Sequence, residues 1–146
     1  MRIVDVLRQL ATAEAYCVRR AHGHSLEAVG YAGTIPVPSR VDARSCHPAA
    51  RALPSRAVTT AEAVQAGRRY RYGCAAAAPI MVRGRPWGTL GIAFADEQRL
   101  RPEVVELVRL AGLLAGVALS MDREERTAAR HVMQAQRRRR RSVRSG

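Results

Sequence analysis

The sequence predicts an α+β domain built around an antiparallel sheet. Residues 78–96 contain two apolar runs that meet at a basic glycine turn, and a second pair of strand-like runs precedes them near the N-terminus. Segments with helical spacing of apolar residues lie at both ends of the chain. Because strands are not followed in turn by helices, the order favours an antiparallel sheet over a parallel one.

The first elements are a predicted helix and a predicted hairpin. Ile3, Val6, Leu7 and Leu10 follow helical spacing, which predicts a helix over residues 2–14. The runs "YCVRRA" and "LEAVGYAG" then predict two strands joined by "HGHS", with Gly23 where a tight turn needs glycine.

Residues 34–56 form the irregular part of the chain, because four prolines interrupt any long element. Pro48 can start one or two helical turns through "PAARAL". The following "AVTTAEAV" fits either a short strand or the start of a short helix, and both remain open.

The central hairpin reads "APIMVRGRPWGTLGIAFAD", with its turn at residues 83–86 and its first strand predicted from Cys74. Alternation divides the second strand into a face of small and polar residues and an apolar face. The first face holds Trp87, Thr89, Gly91 and Ala93, and the second holds Leu90, Ile92 and Phe94. The small face leaves room for a ligand or a packed loop, and alternation leaves open which face meets the helices.

The last predicted helix begins at Pro102. A seam with 3-4 spacing and a second apolar stripe predict that residues 102–121 cover the sheet and also meet a partner helix. The predicted dimer seam consists of Leu107, Ala111, Leu114, Ala118 and Met121. Residues 122–136 read as a helical extension, and residues 137–146 as a disordered, arginine-rich tail.

Composition narrows the class of protein. The chain has 146 residues, the size of one domain, and a formal net charge of +13 in which every basic residue other than histidine is arginine. Removing the six arginines of the tail leaves +7 for residues 1–136. Because no recognition helix, zinc finger or stacking platform accompanies this tail, we expect no specific nucleic-acid binding. Non-specific binding of nucleic acid through the tail stays an alternative function.

Targeting signals are also missing from the sequence pattern. Three widely spaced cysteines argue against a disulfide framework, and the charged N-terminus does not resemble a signal peptide. The uncharged stretch 110–121 is too short to span a bilayer. We therefore expect a cytoplasmic protein without a membrane span.

Three stretches of the sequence resemble a known family. The segments "AAAAPIMVRGRPWGTLGIAFAD" and "LRPEVVELVRLAGLLAGVAL" resemble the C-terminal half of a GAF domain, and "LRQLATAEAYCVRRAHGHSLEAVGYAG" resembles its opening helix and hairpin. The similarity implies a domain over residues 1–121 in which terminal helices pack on one face of the sheet and a ligand pocket lies on the other. It implies a sensory or regulatory module that binds a small molecule, pairs as a homodimer or meets a partner signalling protein, and has no catalysis of its own. The sequence identifies no cofactor.

The loop "GRRYRYG" precedes the central hairpin and is the best candidate for ligand contact. Arginines alternating with tyrosines can hold an anion and stack on a ring. The predicted ligand-binding residues are Arg69, Tyr70, Arg71, Tyr72, Trp87 and Thr89. The other reading is a solvated basic loop whose tyrosines cap the sheet.

Cysteine and histidine offer two further kinds of chemistry. The GAF-fold enzyme free methionine-R-sulfoxide reductase uses cysteines, so Cys46 or Cys74 could act as a nucleophile, but its cysteine-bearing motif is missing here. We therefore expect the cysteines to serve packing or to be incidental. His22, His24 and His47 lack the spacing of a metal site, and we expect no bound metal.

Overall fold

The computed structural model describes residues 13–62, 73–96 and 100–145, and its six strands form one antiparallel sheet in the order β3-β2-β1-β6-β5-β4. The strands are β1 (Ala15–His22), β2 (Ser25–Gly33), β3 (Arg40–Asp42), β4 (Thr59–Glu62), β5 (Cys74–Val82) and β6 (Arg85–Phe94). The helices are α1 (Pro48–Ser55) and α2 (Pro102–Ser145). The predicted α+β class is confirmed, whereas the helix predicted over residues 2–14 lies almost entirely outside the described residues.

Both predicted hairpins are present. Gly23 has φ of 60° in the turn between β1 and β2. In the central hairpin Arg83 and Gly84 have φ of 53° and 75°, and Val82 pairs with Arg85. Two central residues with positive φ match the twist of the strands, so the turn needs only these two. Arg85 and Pro86, expected in the turn, belong to β6.

Helix α2 covers one face of the sheet. Val108, Ala111 and Ala115 are buried there against the apolar face of β6, formed by Leu90, Ile92 and Phe94. The apolar face of β6 therefore meets the helix, a choice that alternation alone left open.

Two glycines bring α2 close to the backbone of β5. A Cβ atom would lie 2.9 Å from the Pro79 carbonyl oxygen at Gly112, and 2.2 Å from the Met81 carbonyl oxygen at Gly116. A larger residue at either position would force the helix away from the strand. The helix therefore rests directly on the β5 backbone.

Helix α1 and the preceding segment cover the opposite face. Ala49 and Ala52 of α1 pack with Leu26 of β2, Val41 of β3 and Ala77 of β5. The predicted helical turns after Pro48 are confirmed, and "AVTTAEAV" contains a strand, β4. The short strand β3 was missed, because three residues among prolines show no usable alternation.

The C-terminal part of α2 differs in part from expectation. The helix runs through residues 122–136, where a helical extension was expected, and continues through Ser145 into the segment that was expected to be a disordered tail. Arginine is a good helix former, no glycine or proline occurs between Gly116 and Gly146, and cations near a helix C-terminus interact favourably with its dipole.

The five residues of the predicted dimer seam differ in how far they are exposed on α2. Ala111 is buried in the core, and Leu107 and Ala118 are half-buried, so these three residues are not part of an exposed seam. Leu114 and Met121 are 62% and 57% exposed. They belong to an exposed stripe opposite the sheet, which we call the outer stripe: Leu110, Leu113, Leu114, Val117 and Met121.

By its length and composition, helix α2 is also long and apolar enough to cross a membrane. Its 18-residue window has a mean hydropathy of 1.9, and 28% of that window is buried in the domain. This stretch is longer than the uncharged residues 110–121 because it includes charged residues. Core helices of soluble proteins can have the same length and apolar composition. Val108, Ala111 and Ala115 of α2 lie in the core.

Candidate ligand pocket

A cavity of about 50 Å³ lies between the small-residue face of the sheet and the segment that covers it. Its floor comes from the three central strands β1, β6 and β5, and its cover from the loop before β3 and the start of α1. The floor includes Ala15, Cys17, Arg19, Ala75, Ala77, Thr89, Gly91 and Ala93, and the cover Val37, Pro38, His47, Pro48 and Ala49.

Arg19 is the charged residue on the floor. It is only 3% exposed, and alternation along β1 places it on the same face as Ala15 and Cys17. Its Nη2 atom donates a hydrogen bond to the Pro38 carbonyl oxygen at 2.7 Å. This bond orients the guanidinium and ties the covering loop to the sheet.

His47 closes the pocket at the start of α1. Its Nδ1 atom accepts a hydrogen bond from the Ala49 amide at 3.1 Å, which caps the helix. Burial, followed by the positive charges of Arg19 and Arg51, lowers the pKa of His47 to about 4. The imidazole is therefore neutral near pH 7, and its proton resides on Nε2.

The comparisons with known proteins place these features in a family. The GAF domain model matches residues 1–119. This chain belongs to the GAF domain family. A search of curated protein sequences found no significant match.

Solved GAF-fold structures agree with the assignment. The GAF-B domain of DevS from Mycobacterium smegmatis has a TM-score of 0.73 and 19% identity, and the match covers 86% of this chain and 93% of that one. GAF3 of Slr1393 from Synechocystis sp. PCC6803 has 0.66 and 18%, covering 88% and 94%. A type II free methionine-R-sulfoxide reductase from Thermoplasma acidophilum has 0.66 and 11%, covering 77% and 84%.

The predicted ligand residues of this GAF domain separate into three groups. Thr89 lines the cavity and is 1% exposed. Arg69, Tyr70, Arg71 and Tyr72 lie outside the described residues.

Trp87 packs against the helix-facing core, on the other face of the sheet from Thr89. The pairs Ile80–Gly88 and Met81–Pro86 leave Trp87 as an extra residue in β6. This bulge breaks the alternation that had placed Trp87 beside Thr89. The guanidinium of Arg20 lies 5.7 Å from the centre of its ring.

The cysteines do not form a reactive group at the pocket. Cys74 is buried in the helix-facing core, where its thiol donates to the Asp96 carbonyl oxygen, and Cys46 is exposed before α1. Only Cys17 belongs to the described lining, and burial raises the pKa of its thiol against the opposing effect of Arg19. The neutral thiol is a poor nucleophile.

Histidine placement gives no metal centre within the described parts of the chain. His22 and His24 are exposed at the β1–β2 turn, far along the chain from the pocket residue His47. No three His, Cys, Asp or Glu side chains among residues 13–62, 73–96 and 100–145 are arranged to hold an ion.

Two pocket residues were missed from the sequence. Arg19 alternates with Ala15 and Cys17 in a strand whose other residues include apolar Tyr16 and Val18, so an arginine facing the sheet interior could have been noticed. His47 stands directly before Pro48, a position typical of a helix cap. Neither pattern says which distant segment covers them.

Proposed function

We propose that this GAF domain is a cytoplasmic sensory or regulatory module. It binds a small molecule on the small-residue face of its sheet and relays occupancy through α2 to a second copy or to a partner signalling protein. Free cysteines, including the exposed Cys46, suit a reducing compartment and support the cytoplasmic assignment.

The observation that carries the proposal is the double role of β5. Ala75 and Ala77 of this strand line the cavity on one face. The Pro79 and Met81 carbonyl oxygens of the same strand meet Gly112 and Gly116 of α2. Because the two backbones are in direct contact at these glycines, a shift of β5 caused by a ligand would displace α2 as well.

Helix α2 carries an apolar surface for an output partner. The outer stripe has 3-4 spacing at Leu110, Leu114, Val117 and Met121, the pattern of paired helices. Beyond Met121 the helix is exposed on all sides through Arg144. Most helical stability in proteins comes from packing, which favours pairing with the same helix of a second copy.

Sedimentation velocity at tens of micromolar tests this pairing. We expect a dimer for the parent chain and a monomer for Leu114→Asp, because the substitution places a charge in the outer stripe. Leu114 is 62% exposed, so the variant should keep its folded circular dichroism spectrum. Arg123→Asp introduces an aspartate about half a turn around the helix from Leu114 and should remain dimeric. A monomeric parent, or a Leu114→Asp dimer of unchanged strength, would contradict the pairing.

A further inference from the structure

The cavity has a fixed positive group at its floor. The Arg19 guanidinium remains charged at all physiological pH values, and it is 3% exposed. Its planar fork of N–H donors suits carboxylate oxygens in a way that a point charge does not. The bond to the Pro38 carbonyl holds the fork in place, so a ligand would meet an ordered donor.

Two further polar side chains of the described lining add hydrogen-bond donors rather than negative charge. His47 lines the cavity as a neutral imidazole whose Nδ1 atom is occupied by the Ala49 amide, which leaves Nε2–H as its donor group. Thr89 contributes a hydroxyl group from β6. These groups stabilise an anion and give a cation no favourable site among the described lining residues.

The rest of the lining is small and apolar. Ala15, Ala75, Ala77, Gly91 and Ala93 form a shallow methyl-lined floor. A cavity of about 50 Å³ has room for a few waters. Space for a few waters fits an occupant of only a few non-hydrogen atoms.

We propose that this cavity binds a short-chain aliphatic carboxylate, with its carboxylate on Arg19 and its alkyl group against the alanines of β1, β5 and β6. This inference rests on the proposed function, because it names the class of molecule that the pocket senses. Propionate matches the size, the charge and the apolar floor.

Titration calorimetry with sodium propionate tests the inference, with sodium chloride at matched ionic strength as the baseline. We expect saturable binding of one propionate per protomer. The neutral analogue propionamide should bind at least tenfold more weakly, because it lacks the charge-assisted hydrogen bonds to arginine. Sodium phosphate should also bind more weakly, since it has no alkyl group for the floor.

Two variants locate the site. Arg19→Gln should weaken propionate at least tenfold and reduce the preference over propionamide. Ala77→Val fills the floor without touching the charge and should exclude propionate. Arg20→Gln is the matched control, because Arg20 lies on the other face beside Trp87, and it should bind like the parent.

The outcomes separate this inference from the proposed function. Equal binding of propionate and propionamide would overturn the carboxylate assignment and leave a small-molecule pocket in place. Equal binding of propionate and phosphate would overturn the role of the apolar floor. If propionate does not bind the parent chain, the inference fails. A thermal-shift screen of neutral ligands and nucleotides then decides whether the pocket has any ligand.

Discussion

His47 couples the stability of the pocket to pH. Its pKa is about 4 in the folded protein, below its usual value of 6.5. Between these values the unfolded chain binds more protons at this residue than the folded one. The stabilisation is therefore complete above pH 6.5 and is lost as the pH falls towards 4.

Urea unfolding at pH 7 and pH 4.5 measures this effect. We expect the parent chain to lose about 2–3 kcal/mol more than His47→Asn over this interval. Asparagine retains a side-chain acceptor for the helix cap but does not titrate. Carboxylate titration affects both proteins alike, so the difference between them isolates His47. Parallel losses in the two proteins would show that the histidine is not held neutral by burial.

At the scale of the elements, the contact between α2 and β5 depends on two glycines, which have no side chain. Alanine in place of glycine in a helix normally stabilises it by about 1 kcal/mol. At Gly116 the added Cβ would lie 2.2 Å from the Met81 carbonyl oxygen, and the resulting clash should outweigh that gain. At Gly112 the corresponding distance is 2.9 Å, so the strain should be smaller.

Thermal unfolding of Gly116→Ala and Gly112→Ala tests this order. We expect Gly116→Ala to be destabilised by about 1–3 kcal/mol, a fall of several degrees in Tm, with Gly112→Ala between it and the parent. The same substitution chemistry at both positions makes each variant the control for the other. A higher Tm for Gly116→Ala would mean that α2 does not rest on the β5 backbone.

The elements differ in how much their sequence determines. The central hairpin was predictable, because a glycine turn and alternating small and large residues fix β5, β6 and their two faces. Which face meets α2 was not, because both are uncharged and only the distant helix decides. The bulge at Trp87 was also hidden, since one extra residue changes pairing without changing composition.

Only the face of the sheet that carries the pocket was predictable from the sequence. Thr89, Gly91 and Ala93 indicated where space would be left, but the arginine and histidine that give the space its chemistry come from β1 and from the residue before α1. Their meeting depends on the path of residues 34–47, where prolines erase any periodic signal. The outer stripe was predicted only in part, for a related reason. Small residues such as Ala111 fit a helix–helix seam and a helix–sheet contact equally well.

On the scale of the whole molecule, the sheet separates two surfaces of the GAF domain. The pocket and α2 lie on opposite faces of one sheet, and β5 contacts both. A ligand can shift the helix only if it binds the two arrangements with different affinities. The relevant observable is therefore a change in α2 when the opposite face is occupied.

Hydrogen–deuterium exchange of the full chain, with and without saturating sodium propionate, measures that change most directly. We predict slower exchange at the β5 and β6 amides around the cavity and, together with it, altered exchange in residues 110–121 of α2. Arg19→Gln should show neither change at the same propionate concentration. Protection confined to the pocket strands, with α2 exchanging identically in both states, would contradict a relay from the pocket to the helix.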